Sequence, residues 1–206
     1  MRTAKVKAGL AHRAKHETRR AQIIDAALKI LAYEGYAEFT MRNVAAKAGM
    51  TLGAVQYYFR NKNDLLLALT EYKLQVDYLA TEDARSKAPL SPEGELAAVV
   101  DLLFTDNKKP FIYGLDFQLF ALACADQTAA KCVDSFYSTV RQWFESLLRK
   151  INPSLTQRQC RIRTIVILSL LEGMMQVLYR DRANRALFGE VEKVVKREVL
   201  RIAKSE

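Results

Sequence analysis

Side chains that could bind nucleic acid are concentrated within residues 40–62. The amide of Gln56 can pair with both the acceptor and the donor on the major-groove edge of adenine, which makes it the best candidate for contact with a base. The guanidinium of Arg42 suits the two acceptors of guanine. A hydroxyl, a phenol and an ammonium nearby could bind backbone phosphates, and they belong to Thr40, Tyr57 and Lys62. Together these groups offer hydrogen bonding to bases and phosphates rather than catalysis.

Two short helices joined by a sharp turn would position these side chains, and residues 41–60 meet the demands of such a helix-turn-helix. Ala45 is small where the two helices must cross, Gly49 can take the positive φ of the turn, and Val55 can be buried against the first helix. Each match alone is weak, and an ordinary helical hairpin is the alternative. Because all three fall in register, we favour the helix-turn-helix.

The two helices are predicted over residues 41–48 and 52–58, each N-capped by the threonine before it. In this motif the second helix enters the major groove, and the backbone N–H groups at its start can bind a phosphate. Tyr58 and Phe59 are expected to pack against the helix that precedes the motif, over residues 18–33, instead. The residues of the second helix that should face DNA are Thr51, Leu52, Gly53, Ala54, Gln56 and Tyr57.

The rest of the chain also shows helical periodicity, with no alternating pattern that would indicate a strand. A helix over residues 18–33, ended by Gly35 in a left-handed conformation, would precede the motif, and six more helices would follow it. Ser154 and Gln157 are expected to form the capping box of the eighth helix. The predicted fold is all-α, with a flexible basic arm (1–17), a three-helix N-terminal head (18–62) and a C-terminal body of about six helices (63–206).

Positive charge is concentrated at the N-terminal end of the chain. Residues 1–62 hold twelve Lys and Arg against four Asp and Glu, whereas residues 63–206 hold twenty against nineteen. A merely soluble basic surface is the alternative, but a polyanion is the natural partner of such a segment, since phosphate neutralisation releases counterions. The basic residues expected to follow phosphates or enter a neighbouring minor groove are Lys5, Lys7, Arg13, Lys15, Arg19 and Arg20.

Residues 20–69 closely resemble the DNA-binding head of the tetracycline-repressor (TetR) family. The residues that carry the resemblance are Ala26-Ala27, Gly35-Tyr36, Phe39-Thr40, Val44-Ala45, Ala48-Gly49, Gly53, Tyr58-Phe59, Lys62 and Leu65-Leu66. The resemblance implies a three-helix head, a regulatory body of about six helices with a small-molecule pocket, and a dimer made by the last two helices. It implies a repressor that a small-molecule effector releases from a palindromic DNA operator. The family often has tyrosine where this chain has Gln56, which favours a distinct operator sequence.

Several large apolar side chains in the body are candidates for lining the implied pocket. Aromatic and methionine residues at helical spacing are also typical of a plain core, so both interpretations stay open. The candidates lie on helices that should converge, and they are Phe104, Phe117, Phe120, Trp143, Met174 and Met175. Their chemistry would suit a lipophilic or cationic compound, without identifying it.

A self-complementary surface is expected away from the head, because one short recognition helix contacts too few base pairs to discriminate between sequences. The eighth helix is apolar almost all round over residues 165–178, and its small residues would allow close approach of a partner helix. The alternative is that it is the central helix of a monomeric body. The predicted homodimer interface contains Ser169, Gly173, Val177, Val191, Val195 and Val199.

Other classes of protein find little support in the sequence. We see no metal-ligand cluster, phosphate loop or nucleophile constellation, and therefore expect neither an enzyme nor a metal or cofactor site. Three cysteines without a CxxC motif, and a basic N-terminus without an apolar core behind it, favour a reduced, cytoplasmic setting. No apolar run is long enough to span a bilayer, so a membrane is not an expected partner. The remaining alternative to a regulator is a ligand-independent architectural DNA-binding protein.

Overall fold

The computed structural model describes residues 2–178 and 184–205, and within them the side chains of residues 2–15 and of Met175 lie outside the description. This part of the chain contains nine α-helices, a short 3₁₀ turn at Arg185–Leu187 and no strand, which confirms the all-α prediction. The helices are α1 (Arg2–Tyr33), α2 (Met41–Lys47), α3 (Leu52–Tyr58), α4 (Lys62–Ser86), α5 (Pro92–Asn107), α6 (Pro110–Ala123), α7 (Gln127–Ile151), α8 (Gln157–Val177) and α9 (Phe188–Lys204).

Most helix ends follow from local sequence. Gly35 has φ 88° and ends α1, as its lack of a side chain allows. The amide of Asp64 donates to the Asn61 side chain at 2.9 Å, and that of Gly94 donates to the Ser91 hydroxyl at 3.0 Å. These caps bind N–H groups that have no partner inside the helix.

Two helix starts differ from the predictions. The helix expected to begin at Thr18 begins at Arg2. Residues 2–17 are rich in alanine and long basic side chains, whose intrinsic propensity can carry a helix without an apolar face. The capping box of α8 consists of Thr156 and Gln159, not of Ser154 and Gln157, since Asn152 already accepts hydrogen bonds from Ser154.

The described chain divides into two compact units. The first comprises the chain up to Tyr72 together with Gly114–Cys132, so it holds α1, α2, α3, the start of α4, most of α6 and the start of α7. This division does not follow the predicted boundary at residue 62. The residues that form the buried core of this unit are mostly aliphatic, and the largest are Ile23, Ile24, Ile30, Leu31, Phe39, Leu65, Leu66, Leu69 and Leu115.

The second unit comprises Lys73–Tyr113 and the chain from Val133 onward. In it α5, α8 and α9 pack against one another. Its core is again mostly aliphatic, with two aromatic side chains, and includes Leu96, Val100, Phe104, Phe144, Leu147, Leu148, Ile167 and Leu171. Burial of this apolar surface is the main force that holds the helices together.

Candidate nucleic-acid interface

The predicted helix-turn-helix is present in the first unit. The amide of Asn43 donates to the Thr40 hydroxyl at 3.1 Å, and the amide of Ala54 donates to the Thr51 hydroxyl at 3.2 Å, so both threonines are the N-caps that the sequence indicated. Gly49 has φ 66° at the turn between the helices. The next amide, that of Met50, donates back across the turn at 2.9 Å.

The close crossing of α2 and α3 depends on three small or branched side chains. Val44, Ala45 and Val55 are all buried, and Val55 is 0% exposed, which confirms the packing predicted for them. Because a small residue at the crossing brings the two backbones together, α3 is held rigidly on α2. A rigid α3 can present the same side chains to every binding site.

The outer face of α3 is open to solvent. Gln56 is exposed and Tyr57 is 72% exposed, while Phe59 at the end of α3 is buried. Thr51 and Gly53 are also exposed, and Leu52 and Ala54 are half-buried. The structure therefore presents the predicted residues on one accessible helix of about two turns. Their contact with bases stays a prediction.

The basic side chains around α3 occupy different environments. Arg42 on α2 and Arg19 on α1 are exposed. The guanidinium of Arg20 lies 5.4 Å from the centre of the Phe59 ring, so part of its role is to cover the core of the head.

Lys62 is also held by aromatic rings. Its ammonium lies 3.5 Å from the centre of the Tyr36 ring and 5.3 Å from that of Phe39. This cation–π contact fixes the ammonium at the first residue of α4, beside the end of α1. A phosphate contact by Lys62 stays a prediction, since the contact with the rings restricts how far the side chain can reach.

The carboxylates of the head are largely bound by neighbouring donors. Asp25 pairs with Lys29 at 2.7 Å, Glu34 pairs with Lys47, and Glu38 accepts from the side-chain amide of Asn43 at 2.9 Å. These pairs reduce the negative charge that an approaching phosphate would meet.

Sequence reasoning missed the contact of His16 with the recognition helix. The His16 ring lies 4.6 Å from the ring of Tyr58 and 6.0 Å from that of Tyr57, between ring centres. The two tyrosine rings are themselves 5.1 Å apart, edge to face. His16 falls within the arm predicted over residues 1–17, because nothing in the local sequence shows that α1 continues far enough to pass the end of α3.

A second contact that the sequence did not indicate joins α6 to the end of α1. The backbone amide of Tyr36 donates to the side-chain oxygen of Gln118 at 3.2 Å. One helical turn earlier on α6, a Cβ added at Gly114 would lie only 2.5 Å from the carbonyl oxygen of Ala32. Gly114 is therefore the residue that lets α6 lie against the backbone of α1.

The candidate pocket residues divide between the two units. Phe117 and Phe120 lie half-buried on α6 in the first unit. In the second unit Phe104 and Met174 are buried, and Trp143 is half-buried against Phe144 and the guanidinium of Arg85. The side chain of Met175 lies outside the described residues.

One face of α8 carries exposed apolar and small side chains along its whole length. They recur every three or four residues, at Ile162, Ile165, Val166, Ser169, Leu170, Gly173 and Val177. Ser169 and Leu170 are exposed, Gly173 is half-buried, and Val177 is 77% exposed. This face corresponds to the predicted dimer surface on α8.

On α9 the prediction needs one correction. Val191 and Val195 are half-buried, but Val199 is only 1% exposed and lies beside Leu96 and Val100 of α5. Val199 is therefore a core residue of its own chain and cannot meet a partner, because α9 turns this side toward α5. Val194, which was not predicted, is exposed instead.

The three cysteines are free and differ in exposure: Cys124 is exposed, Cys132 is half-buried and Cys160 is buried. Burial is the main cause that raises the pKa of the Cys132 thiol, two nearby carboxylates act in the same direction, and a hydrogen bond with Thr70 opposes them. No group of three or more possible metal ligands occurs among the described residues. Nor does any helix in residues 2–178 and 184–205 have the length and apolar character needed to cross a membrane.

These differences predict an order of thiol reactivity. With iodoacetamide at pH 8, Cys124 should be alkylated first and Cys160 last, because the reactive species is an accessible thiolate. The rate at Cys132 should keep rising as the pH passes the range in which an ordinary thiol has ionised, since its pKa is raised. Peptide mass spectrometry over a time course measures each site. Alkylation of Cys160 before Cys124 in the folded protein would contradict the exposures.

The structure so far defines a helix-turn-helix protein with a helical body, and comparison with known proteins agrees. Residues 23–69 match the family model of bacterial regulatory proteins, tetR family. The HTH-type transcriptional regulator BetI of Burkholderia thailandensis is 37% identical over 92 residues, which are 45% of this chain and 47% of that protein. BetI of Burkholderia ambifaria is 36% identical over the same length. The chain thus spans about half the length of the curated relatives it matches.

Similarity to solved structures extends over nearly the whole chain. A TetR transcription regulator from Haloarcula marismortui has a TM-score of 0.73 at 19% identity and covers 91% of this chain and 97% of its own. A protein from Saccharomonospora viridis was crystallised in complex with choline. It has a TM-score of 0.75 at 15% identity, and the match covers 89% of this chain and 96% of that protein. At such identities the likeness shows the fold. The match to the family model concerns the N-terminal domain, since it covers residues 23–69.

Proposed function

We propose that this chain is a sequence-specific transcriptional repressor that binds a palindromic DNA operator as a homodimer, in the cytoplasm, and leaves it when a small-molecule effector binds. The observation that carries the proposal is the exposed face of α3, with Gln56 and Tyr57 outward on a helix fixed by the Gly49 turn. A helix of this kind fits the major groove, where the edges of the base pairs are distinguishable.

Selection of bound sequences from random duplex DNA tests this function. A regulator should enrich a palindrome whose half-sites lie about one helical turn apart, since two identical heads must dock on one face of the duplex. A ligand-independent architectural protein, the second candidate, should bind with strong salt dependence and enrich no consensus. That candidate is favoured only by the excess of positive charge in residues 1–62.

Gln56→Ala should weaken binding to the selected palindrome by ~1–3 kcal/mol and relax the preference at one base position of each half-site. The reason is the loss of a bidentate amide from the exposed face of α3. A second selection with the variant measures the change. Gln142→Ala is the matched control, because Gln142 is exposed on α7, outside the unit that holds α3. An unchanged consensus with the Gln56 variant would refute this role.

The homodimer is supported by the apolar face of α8. Residues 162–177 span about 22 Å of helix, and exposed apolar side chains recur along that length. Such a surface is costly to leave in water and suits an isologous contact, in which each subunit offers the same patch. Val194 of α9 is a further candidate for the same interface.

Effector control is supported by the contact of α6 with the head. Gln118 accepts from the Tyr36 amide, and the aromatic side chains of Phe117 and Phe120 lie on the same helix. A ligand that displaces α6 would act directly on the end of α1, which lies next in sequence to α2. Choline is the first compound to test, because a protein of the same fold was crystallised with it. Release of the selected duplex by choline or another metabolite, measured by fluorescence anisotropy, would identify the effector.

A further inference from the structure

An open cleft lies between α1 and the turn of the helix-turn-helix. Its volume is about 370 Å³. One wall consists of consecutive turns of α1 and the other of the three residues that join α2 to the cap of α3. The lining residues are Thr18, Arg19 and Gln22 on the first wall, and Ala48, Gly49 and Met50 on the second.

The first wall has the chemistry of an anion site. Arg19 brings a guanidinium, Thr18 a hydroxyl and Gln22 an amide, all on exposed positions one turn or less apart. The opposite wall offers little steric hindrance, because Gly49 has no side chain and an added Cβ there would meet nothing within 4 Å. A phosphodiester group and its water molecules would fit in the space between them.

The cleft also lies where a DNA strand should pass. Met50 is adjacent to Thr51, the cap of α3, so the cleft flanks the start of the recognition helix. A few residues earlier on α1, His16 touches Tyr57 and Tyr58 at the other end of α3. This part of α1 therefore passes near both ends of α3. A helix in the major groove has a phosphate backbone along each side.

We infer that this cleft binds one backbone phosphate of each half-site, with Arg19 supplying the charge and Thr18 and Gln22 supplying hydrogen-bond donors. The inference rests on the proposed DNA-binding function and deepens it, since it assigns α1 as a docking element that fixes the register of α3 on the duplex. Phosphate contacts of this kind position a protein without reading sequence.

Neutral methylphosphonate substitutions, placed one at a time along the selected duplex, test the inference together with two variants. Arg19→Gln should weaken binding about tenfold and lower the salt slope by about one charge for each half-site, while the selected consensus stays the same. Gln22→Glu should weaken binding further by placing a carboxylate in the cleft. Lys29→Gln is the matched control, because Lys29 lies exposed on the same helix and pairs with Asp25.

The decisive result is one phosphate position with a specific effect. Its neutralisation should weaken DNA binding by the wild-type protein about tenfold and leave DNA binding by the Arg19 variant unchanged. The inference is wrong if both cleft variants bind the duplex with wild-type affinity and salt slope. It is also wrong if every methylphosphonate weakens binding by the wild-type protein and by the Arg19 variant equally. In both cases the proposed function stands. If the wild-type protein selects no sequence, the proposed function fails first. In that case, the salt dependence of binding to random duplex DNA tests phosphate binding in the cleft separately. Equal slopes for the wild-type protein and the Arg19 variant would overturn the inference.

Discussion

Gly173→Glu is expected to separate the subunits and to reduce operator binding by about 10²–10⁴-fold, because the second head would no longer be held at high effective concentration. Gly173 lies on the exposed face of α8, and a Cβ added there would meet nothing within 4 Å. The monomer should therefore tolerate the change. In a dimer built on this face, the carboxylate would be buried without a partner, which costs several kcal/mol.

Sedimentation at micromolar concentration and binding to the selected palindrome measure the two effects. Ser146→Glu is the control, since Ser146 is exposed on α7 and the change adds the same charge on a different helix. It should leave both the dimer and the affinity intact. A Gly173→Glu protein that still sediments as a dimer and binds like the wild type would place the interface elsewhere.

Gly114→Ala is expected to destabilise the first unit by about 1–3 kcal/mol, as overpacking of a close contact does. The added methyl group would lie 2.5 Å from the carbonyl oxygen of Ala32, and neither the backbone of α1 nor that of α6 can rotate away as a side chain can. The helices must move apart, which should also break the hydrogen bond from Tyr36 to Gln118.

Thermal unfolding measures this effect against a matched substitution. Gly189→Ala is the control, because Gly189 lies in α9 with open space around its Cα. There alanine should be neutral or stabilise by at most about 0.5 kcal/mol, because Gly189 lies in the first turn of α9 and not in its interior. The Gly114 variant alone should therefore lower the melting temperature. Equal melting temperatures for Gly114→Ala and the wild type would show that α6 does not need this close approach.

Local sequence was enough to predict the parts of the head that depend on local geometry. The N-caps at Thr40 and Thr51 and the left-handed turn at Gly49 each involve residues a few positions apart. Their hydrogen bonds and φ angles are set by the residue types at those positions, so their spacing alone predicts them. The buried state of Val55 follows from the same register.

The pairing of helix faces became known only from the tertiary structure. Valines recur on more than one side of α9, so the pattern could not show that Val199 packs on α5 while Val194 faces solvent. Nor could it show that Gln118 of α6 binds the backbone after α1, since 82 residues separate the partners. Local propensity fixes where a helix begins and ends, whereas the pairing of helix faces depends on the total apolar area buried by the whole chain, which no short window of sequence contains.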